Sequence, residues 1–276
     1  MFQAKSIAFI MCVYGGDSPS HFRDALASIH SLKTESNFHV RIFLHVDGTI
    51  SSELETVILE FDLYKIVRSP KNVGLAVGLN LLIKLLTNEK YIFRMDADDL
   101  CRKDRLSEQI SFLDLNDTID FVGGGIAEFN GCPSNVVAYR NYPENAKEIS
   151  ANLSKSSPFA HVTVCFRGGF FERFGLYPIE YPLNEDVAFW LECLKQGAVG
   201  ANLQSILVDV RMDNAYSRRT YKKAFVEFKV YLNAAKWLRS GYVYPFLRLV
   251  FRLLPSNIVR FIYNSSIRRF FLEKKL

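Results

Sequence analysis

The chemistry-bearing residues of this chain gather in a few short stretches, of which "YIFRMDADDL" (91–100) is the densest. An apolar run there is followed by three carboxylates in four positions, Asp96, Asp98 and Asp99. Like charges that close repel one another and shift each other's proton affinities unless a cation lies among them. Two Asp separated by one residue at a strand end can direct oxygens at one hard cation, Mg²⁺ or Mn²⁺. Such ions are commonly held by one or two carboxylates together with the phosphates of a substrate. The bland alternative is a solvated turn in which Asp99 caps the helix containing "DRLSEQISFL". A second acidic group, Glu185 and Asp186 after Asn184, opens the helical stretch "NEDVAFWLECLKQG". Its plain reading is that of first-turn acids favoured by the helix dipole.

Residues of this kind need rigid elements to aim them. "SIAFIMCVY" (6–14) is a continuous apolar run of strand length, as expected of a strand buried on both faces. "RDALASIHSL" then has helical spacing, "VRIFLHVDG" (40–48) reads as a second buried strand ending at Asp47, and "SSELETVILEF" as a helix capped by Ser51 or Ser52. "YKIVRSP" (64–70) predicts a short strand, "VGLAVGLNLLIKLL" a helix and "KYIFRM" (90–95) a strand that ends at the carboxylates. This alternation argues for βαβ units and a mainly parallel sheet. Ligands of such sheets bind beyond the carboxyl ends of the strands, so Tyr14, Asp47 and Asp96 are expected along one edge. After Asp120 the pattern loosens: "FVGGGIAEF" and "HVTVCFRGG" (161–169) read as strands, and 184–197 as a helix with Val187, Trp190, Leu191 and Leu194 on one face.

The 276 residues suit one large domain or a domain with an appendage, and 49% hydrophobic and 14% aromatic content argue against disorder. No stretch reaches transmembrane length, and "MFQAKSIAFIMCVYGG" reads as a first strand rather than a signal peptide. Cys12, Cys101, Cys132, Cys165 and Cys193 are odd in number and never in a C-x-x-C pair, which favours reduced thiols in the cytoplasm. The net charge of +5 conceals an asymmetry, for residues 215–276 carry 14 Lys+Arg against Glu227 and Glu273. A mildly acidic body is thus joined to a basic tail, and such a tail suits an anionic partner.

"YIFRMDADDL", preceded by "KNVGLAVGLNLLI" and followed by "NEDVAFWLECLKQG", resembles the family-2 glycosyltransferases, nucleotide-sugar-dependent enzymes with the GT-A fold. The similarity spans roughly residues 5–200 and is to the branch that builds bacterial exopolysaccharide, O-antigen and capsule. It implies a catalytic domain over 1–212, with a nucleotide-sugar half (1–110) and an acceptor half (111–212), and a basic amphipathic helical tail over 213–276. Cys12, Val13 and Tyr14 would contact the base through backbone and ring, and Asp47 would accept a hydrogen bond from it, usually from uracil. The family more often has a "VDDGS"-like stretch where this chain has "HVDGTISSE". Asn72, Gly74 and Asn80 match the segment beside the nucleotide. Asp96 and Asp98 match the DxD pair that bridges Mg²⁺ or Mn²⁺ to the diphosphate, with Asp99 as a possible third ligand. Asp186 would be the general base of an inverting transfer, taking the proton of the acceptor hydroxyl.

"SPFAHVTVCFRGG" matches the family's His and Arg at His161 and Arg167, with Val162 in place of a proline; His161 reads either as an acceptor or phosphate contact or as a structural hydrogen-bonder. Arg94 faces the nucleotide or solvent, and Trp190 is core or a sugar platform. The tail has three readings: an amphipathic helix on an anionic membrane surface, a face packed on the body, or nucleic-acid binding, for which no accompanying motif exists. The expected function is transfer from a nucleotide sugar, UDP-linked, to a saccharide or lipid-linked saccharide, peripheral at the cytoplasmic face of a bacterial inner membrane. The alternatives are a sugar-nucleotide nucleotidyltransferase, which would carry a more basic phosphate loop than "GGDSPSHFRD", and a non-catalytic nucleotide-sugar-binding protein.

Overall fold

A computed structural model describes residues 6–35, 38–213, 221–254 and 258. β1 (Ser6–Tyr14) is flanked by β2 (His39–Asp47) and β4 (Tyr91–Arg94), and β2 by β3 (Lys65–Ser69), all in parallel. The connecting helices are α1 (Pro19–Glu35), α2 (Ser52–Glu60) and α3 (Leu75–Ile83). The apolar run of β1 is continuous because both its faces are covered. Ile7, Phe9, Met11 and Val13 pack with Phe22, Leu26 and Ile29 of α1, while Ala8 and Ile10 pack with Leu79 and Leu82 of α3. Ser51 caps α2, its Oγ accepting from the Leu54 N–H at 3.3 Å. Gly78 lets α3 approach the sheet closely, since a Cβ there would lie 2.3 Å from His45 Nδ1 and 2.9 Å from Cys12 Sγ.

The second half completes the sheet in mixed orientation. β5 (Leu100–Cys101) leads to α4 (Arg105–Leu115), then β6 (Phe121–Phe129), β7 (Val136–Arg140), α5 (Ala146–Asn152), β8 (Cys165–Arg167), α6 (Phe170–Phe174), α7 (Glu185–Lys195) and β9 (Gly200–Arg211). Among the described residues the order is β3-β2-β1-β4-β8-β6-β9-β5, with β7 added beside β6. β6 and β9 run parallel, whereas the pairs β4–β8, β6–β8, β6–β7 and β5–β9 are antiparallel. The strand expected over 161–169 is only Cys165–Arg167, because residues His161–Thr163 form a 3₁₀ turn. Side chains hold that turn: Gln109 Nε2 donates to the carbonyls of Val122 (2.7 Å) and Thr163 (2.9 Å), and the Thr163 hydroxyl to Ala160 O (2.8 Å). Trp190 is core, stacked on Phe121 with ring centroids 5.4 Å apart and planes 8° from parallel.

The basic segment continues as α8 (Tyr221–Trp237) and α9 (Val243–Leu253). Val230 and Tyr231 of α8 pack on Val187 and Ala188 of α7, and Ala234 enters the main core. The buried Glu227 carboxylate is met by both Arg248 and Arg252 of α9, the latter with Nε 2.6 Å from Oε2. A buried charge left unpaired is strongly destabilising, so this double pairing fixes α9 against α8. Residues 221–254 are therefore packed on the body, while Arg260, Arg268 and Arg269 lie outside the described residues, as do residues 214–220.

Candidate active site

The parallel registers bring the ends of three strands level, Tyr14 pairing with Asp47 and Asp47 with Ser69, while β4 stops short, its last residue Arg94 beside Ile10, so that the acidic turn follows there. A cleft of about 570 Å³ opens at that edge. It is lined by Cys12, Val13, Tyr14, Asp17, Asp47, Asn72, Gly74 and Leu75, together with Arg94, Asp96, Ala97, Asp98 and His161. Leu183, Glu185, Asp186 and Lys223 line the rest. Of the residues expected from the sequence, Cys12, Val13, Tyr14, Asp47, Asn72, Gly74, Arg94, Asp96, Asp98 and Asp186 thus share one cavity.

Asp47 builds the wall as well as lining it. Its Oδ1 accepts from the Val73 N–H at 2.6 Å and its Oδ2 from the Gly74 N–H at 2.9 Å. The carboxylate thereby caps the start of α3 from a neighbouring strand, where the helix dipole favours negative charge. Gly74 has φ +89°, a left-handed conformation that a side chain would strain. Asn80 is not brought to the cleft. Its amide joins both backbone groups of Tyr177, donating to the carbonyl at 2.8 Å and accepting from the N–H at 2.9 Å. That pair fastens α3 to the segment leading into α7. Burial pushes the Cys12 thiol well above its ordinary range, so it is no nucleophile.

The acidic turn is held from two sides. Arg94, almost wholly buried, places Nη1 2.5 Å from Asp96 Oδ1, while its Nε is buried without a hydrogen-bond partner among the described residues. Asp99 is buried behind the turn and does not line the cleft; its Oδ1 accepts from the Arg211 N–H of β9 at 2.9 Å. Arg211 Nε also donates to the Asp98 carbonyl at 3.2 Å, and its guanidinium lies 4.8 Å from the centre of the Phe129 ring. The reading of Asp99 as a helix cap fails, since α4 starts only at Arg105. Oxygens of Asp96, Asp98 and Asp99 lie within 4.8 Å of one another. Burial, with the charges of Asp96 and Asp98, raises the Asp99 carboxyl well above the usual carboxylate range. Three converging carboxylates that penalise one another's charge are a donor set fitted to a hard divalent cation.

Asp186, also in the lining, lies in the first turn of α7. Burial raises its proton affinity, an effect opposed by the Val187 N–H and by the charges of Arg94 and Lys223. Glu185 is raised for the same leading reason. His161 is kept neutral, pushed well below its ordinary value by burial and by Arg94, and its Nε2 is 2.9 Å from the Tyr177 hydroxyl. Arg167 faces away and anchors the chain, donating to the carbonyls of Ile119 (2.7 Å) and Asn116 (3.0 Å). Two features had no signal in the sequence. Leu183 stands at the rim with φ +66°, rare for a leucine. Lys223 enters from α8, a segment whose basic character alone pointed to the surface.

A crevice at the carboxyl edge of a parallel sheet is where an α/β protein holds its ligand, and the comparisons identify the class of this chain as a glycosyltransferase. It belongs to glycosyl transferase family 2, whose model matches residues 9–175. It is 32% identical to an uncharacterized glycosyltransferase of Haemophilus influenzae, with 94% of this chain and 98% of that protein covered. It is 29% identical to the UDP-Gal:alpha-D-GlcNAc-diphosphoundecaprenol beta-1,3-galactosyltransferase of Escherichia coli, with 95% and 96% covered. Among solved structures, the mannosyltransferase PcManGT of Pyrobaculum calidifontis, in complex with GDP-Man and Mn²⁺, superposes with a TM-score of 0.64 at 13% identity, covering 98% of this chain and 84% of that one. The fold is therefore GT-A.

Proposed function

We propose that the chain transfers a sugar from a UDP-linked donor to a saccharide carried on a lipid diphosphate, with inversion, at the cytoplasmic face of a bacterial inner membrane. The observation that carries the reading is the gathering of Asp96, Asp98 and Asp186 in the lining of one cleft. The UDP and lipid-diphosphate assignments are supported by likeness to the Escherichia coli enzyme, which names both. Among the described residues no helix is long and apolar enough to cross a membrane.

The donor's base would lie against Cys12 to Tyr14 and the Asp47-braced wall, its diphosphate towards Arg94, Asp96 and Asp98. Asp96 and Asp98 would hold Mg²⁺ or Mn²⁺, with Asp99 behind them, and the ion would supply charge neutralisation to the departing diphosphate. Asp186 accepts the proton of the acceptor hydroxyl as its oxygen bonds to the anomeric carbon. The anomeric C–O bond breaks on the opposite side, and its electron pair leaves with the diphosphate. Arg94 and Lys223 both lie along the charge that moves, and both favour the ionised form of Asp186.

Calorimetric titration of the full chain with UDP and with GDP, each with and without Mn²⁺, tests the reading. Metal-dependent UDP binding that Asp98→Ala abolishes in a folded protein is the expected result. Binding of neither nucleotide would remove the transferase assignment from this cleft.

A further inference from the structure

The α9 helix presents its charges inward and its apolar residues outward, the reverse of an ordinary solvated helix. Arg248 and Arg252 are both turned onto Glu227, and Arg248 also lies over the Tyr231 ring, 4.2 Å from its centre, and donates to the Lys155 carbonyl at 3.1 Å. On the other side Val243, Leu247 and Val250 recur at three- and four-residue spacing and are 59% to 66% exposed, and Phe246, 55% exposed, borders them while also packing its ring 5.0 Å from that of Phe228 on α8. Through Glu227 the helix that bears this strip is joined to α8, which also contributes to the cleft. Glu227 follows Lys223 by four residues, about 6 Å along α8; Lys223 lines the cleft and Arg252 reaches Glu227 at 2.6 Å.

Charge decides what covers the strip. Arg248 and Arg252 are paired with Glu227, but the sequence that follows α9, residues 255–276, carries five Lys+Arg against Glu273, a net of +4. A second copy would set this basic sequence against its own like charge, whereas an anionic lipid surface complements both the apolar strip and the basic sequence that continues from the helix. We propose that α9 is an interfacial foot: its Val243–Phe246–Leu247–Val250 side enters the outer layer of an anionic phospholipid surface and holds the body there. Arg248 and Arg252 do not meet the lipid, since they are the bolts that fasten the foot to α8. The lipid contact stands on α9 alone; only its purpose, access to a lipid-borne acceptor, rests on the transferase reading above.

The test is flotation of the full chain with vesicles of phosphatidylethanolamine and phosphatidylglycerol. Wild type and a Leu59→Glu control, altered at an exposed leucine of α2, are expected to float, and the double variant Leu247→Glu/Val250→Glu to lose binding about tenfold or more. Calorimetric UDP binding in the presence of Mn²⁺ is measured on all three. It should be equal, because neither altered position touches the cleft. Failure of the wild type to float, or equal flotation of the double variant, overturns the proposal. So does a wild-type dimer that dissociates on Leu247→Glu/Val250→Glu, which would make the strip a self-association surface. Flotation without UDP binding by the wild type would leave the foot standing and refute the transferase reading instead.

Discussion

Replacing Asp47 separates two roles that its position allows, reader of the nucleotide base and builder of the wall. Both carboxylate oxygens are engaged by backbone, at 2.6 Å to the Val73 N–H and 2.9 Å to the Gly74 N–H. Hydrogen bonds to a charged acceptor contribute about 1.5–3 kcal/mol each. Because the site borders a cleft, water reaching the freed amides recovers part of this, and we expect Asp47→Ala to cost about 3 kcal/mol in all. With an unfolding entropy of about 2.1 cal/mol/K per residue, that corresponds to a Tm lowered by about 5 °C for a chain of this length. Asp47→Asn should cost somewhat less, about 2 kcal/mol, since its amide oxygen keeps one bond while its NH₂ confronts the other donor. Urea denaturation gives the stability change, and titration with UDP and Mn²⁺ on the same samples gives the binding change. The wall-building role predicts that both fall together. An Asp47→Asn protein with the wild-type denaturation midpoint but no UDP binding would refute it and leave base recognition as the function of this carboxylate.

Three other expectations concern Asp186, Lys223 and Glu227. Asp186→Asn should lower kcat by about 10²–10⁴ with UDP affinity unchanged; retention of the full transfer rate would exclude Asp186 as the base. Because burial raises the Asp186 carboxyl, the acid limb of kcat/KM should lie above the ordinary aspartate range, activity falling as pH drops through it and the base becomes protonated. The Lys223 charge acts in the other direction, so Lys223→Met should move that limb to still higher pH and Lys223→Arg should restore it; a limb that does not move would show that Lys223 acts elsewhere. Glu227→Gln leaves two guanidiniums without their counter-charge and should cost about 2–3 kcal/mol, below the figure for a fully buried pair because both are partly solvated, as read from denaturation midpoints.

The parallel half of the molecule was legible from local pattern. β1, β2 and β4 are apolar runs that end at residues of chemical character, and a parallel sheet brings such ends to one edge. Local pattern shows Asp186 only as a first-turn acid of a helix; the expectation that it serves the site came from the family resemblance. What escaped the sequence depends on contacts made over long separations. Asn80 looks like a member of the nucleotide segment, yet its amide is occupied by the backbone of Tyr177, 97 residues later. The residues of His161–Thr163 have strand-like composition, yet Gln109 and the Thr163 hydroxyl satisfy their carbonyls in a turn. Lys223 carries no periodicity or spacing that distinguishes it from its basic neighbours; only the docking of α8 on α7 brings it to the cleft.

The dependence of the acidic turn on β9 has a bearing on the order of assembly. Asp99 is held by the backbone of Arg211, 112 residues further along the chain, and Leu100 pairs with Asp209. At a synthesis rate of about 5–20 residues per second, the three aspartates leave the ribosome roughly 6–20 s before the strand that braces them. The early βαβ units can condense in that interval, but closing so long a loop is slow, and the turn cannot take its final shape until β9 arrives. The nascent enzyme is thus kept from engaging donor by its own connectivity: every carboxylate is already present, and the site matures only when most of the chain has been made.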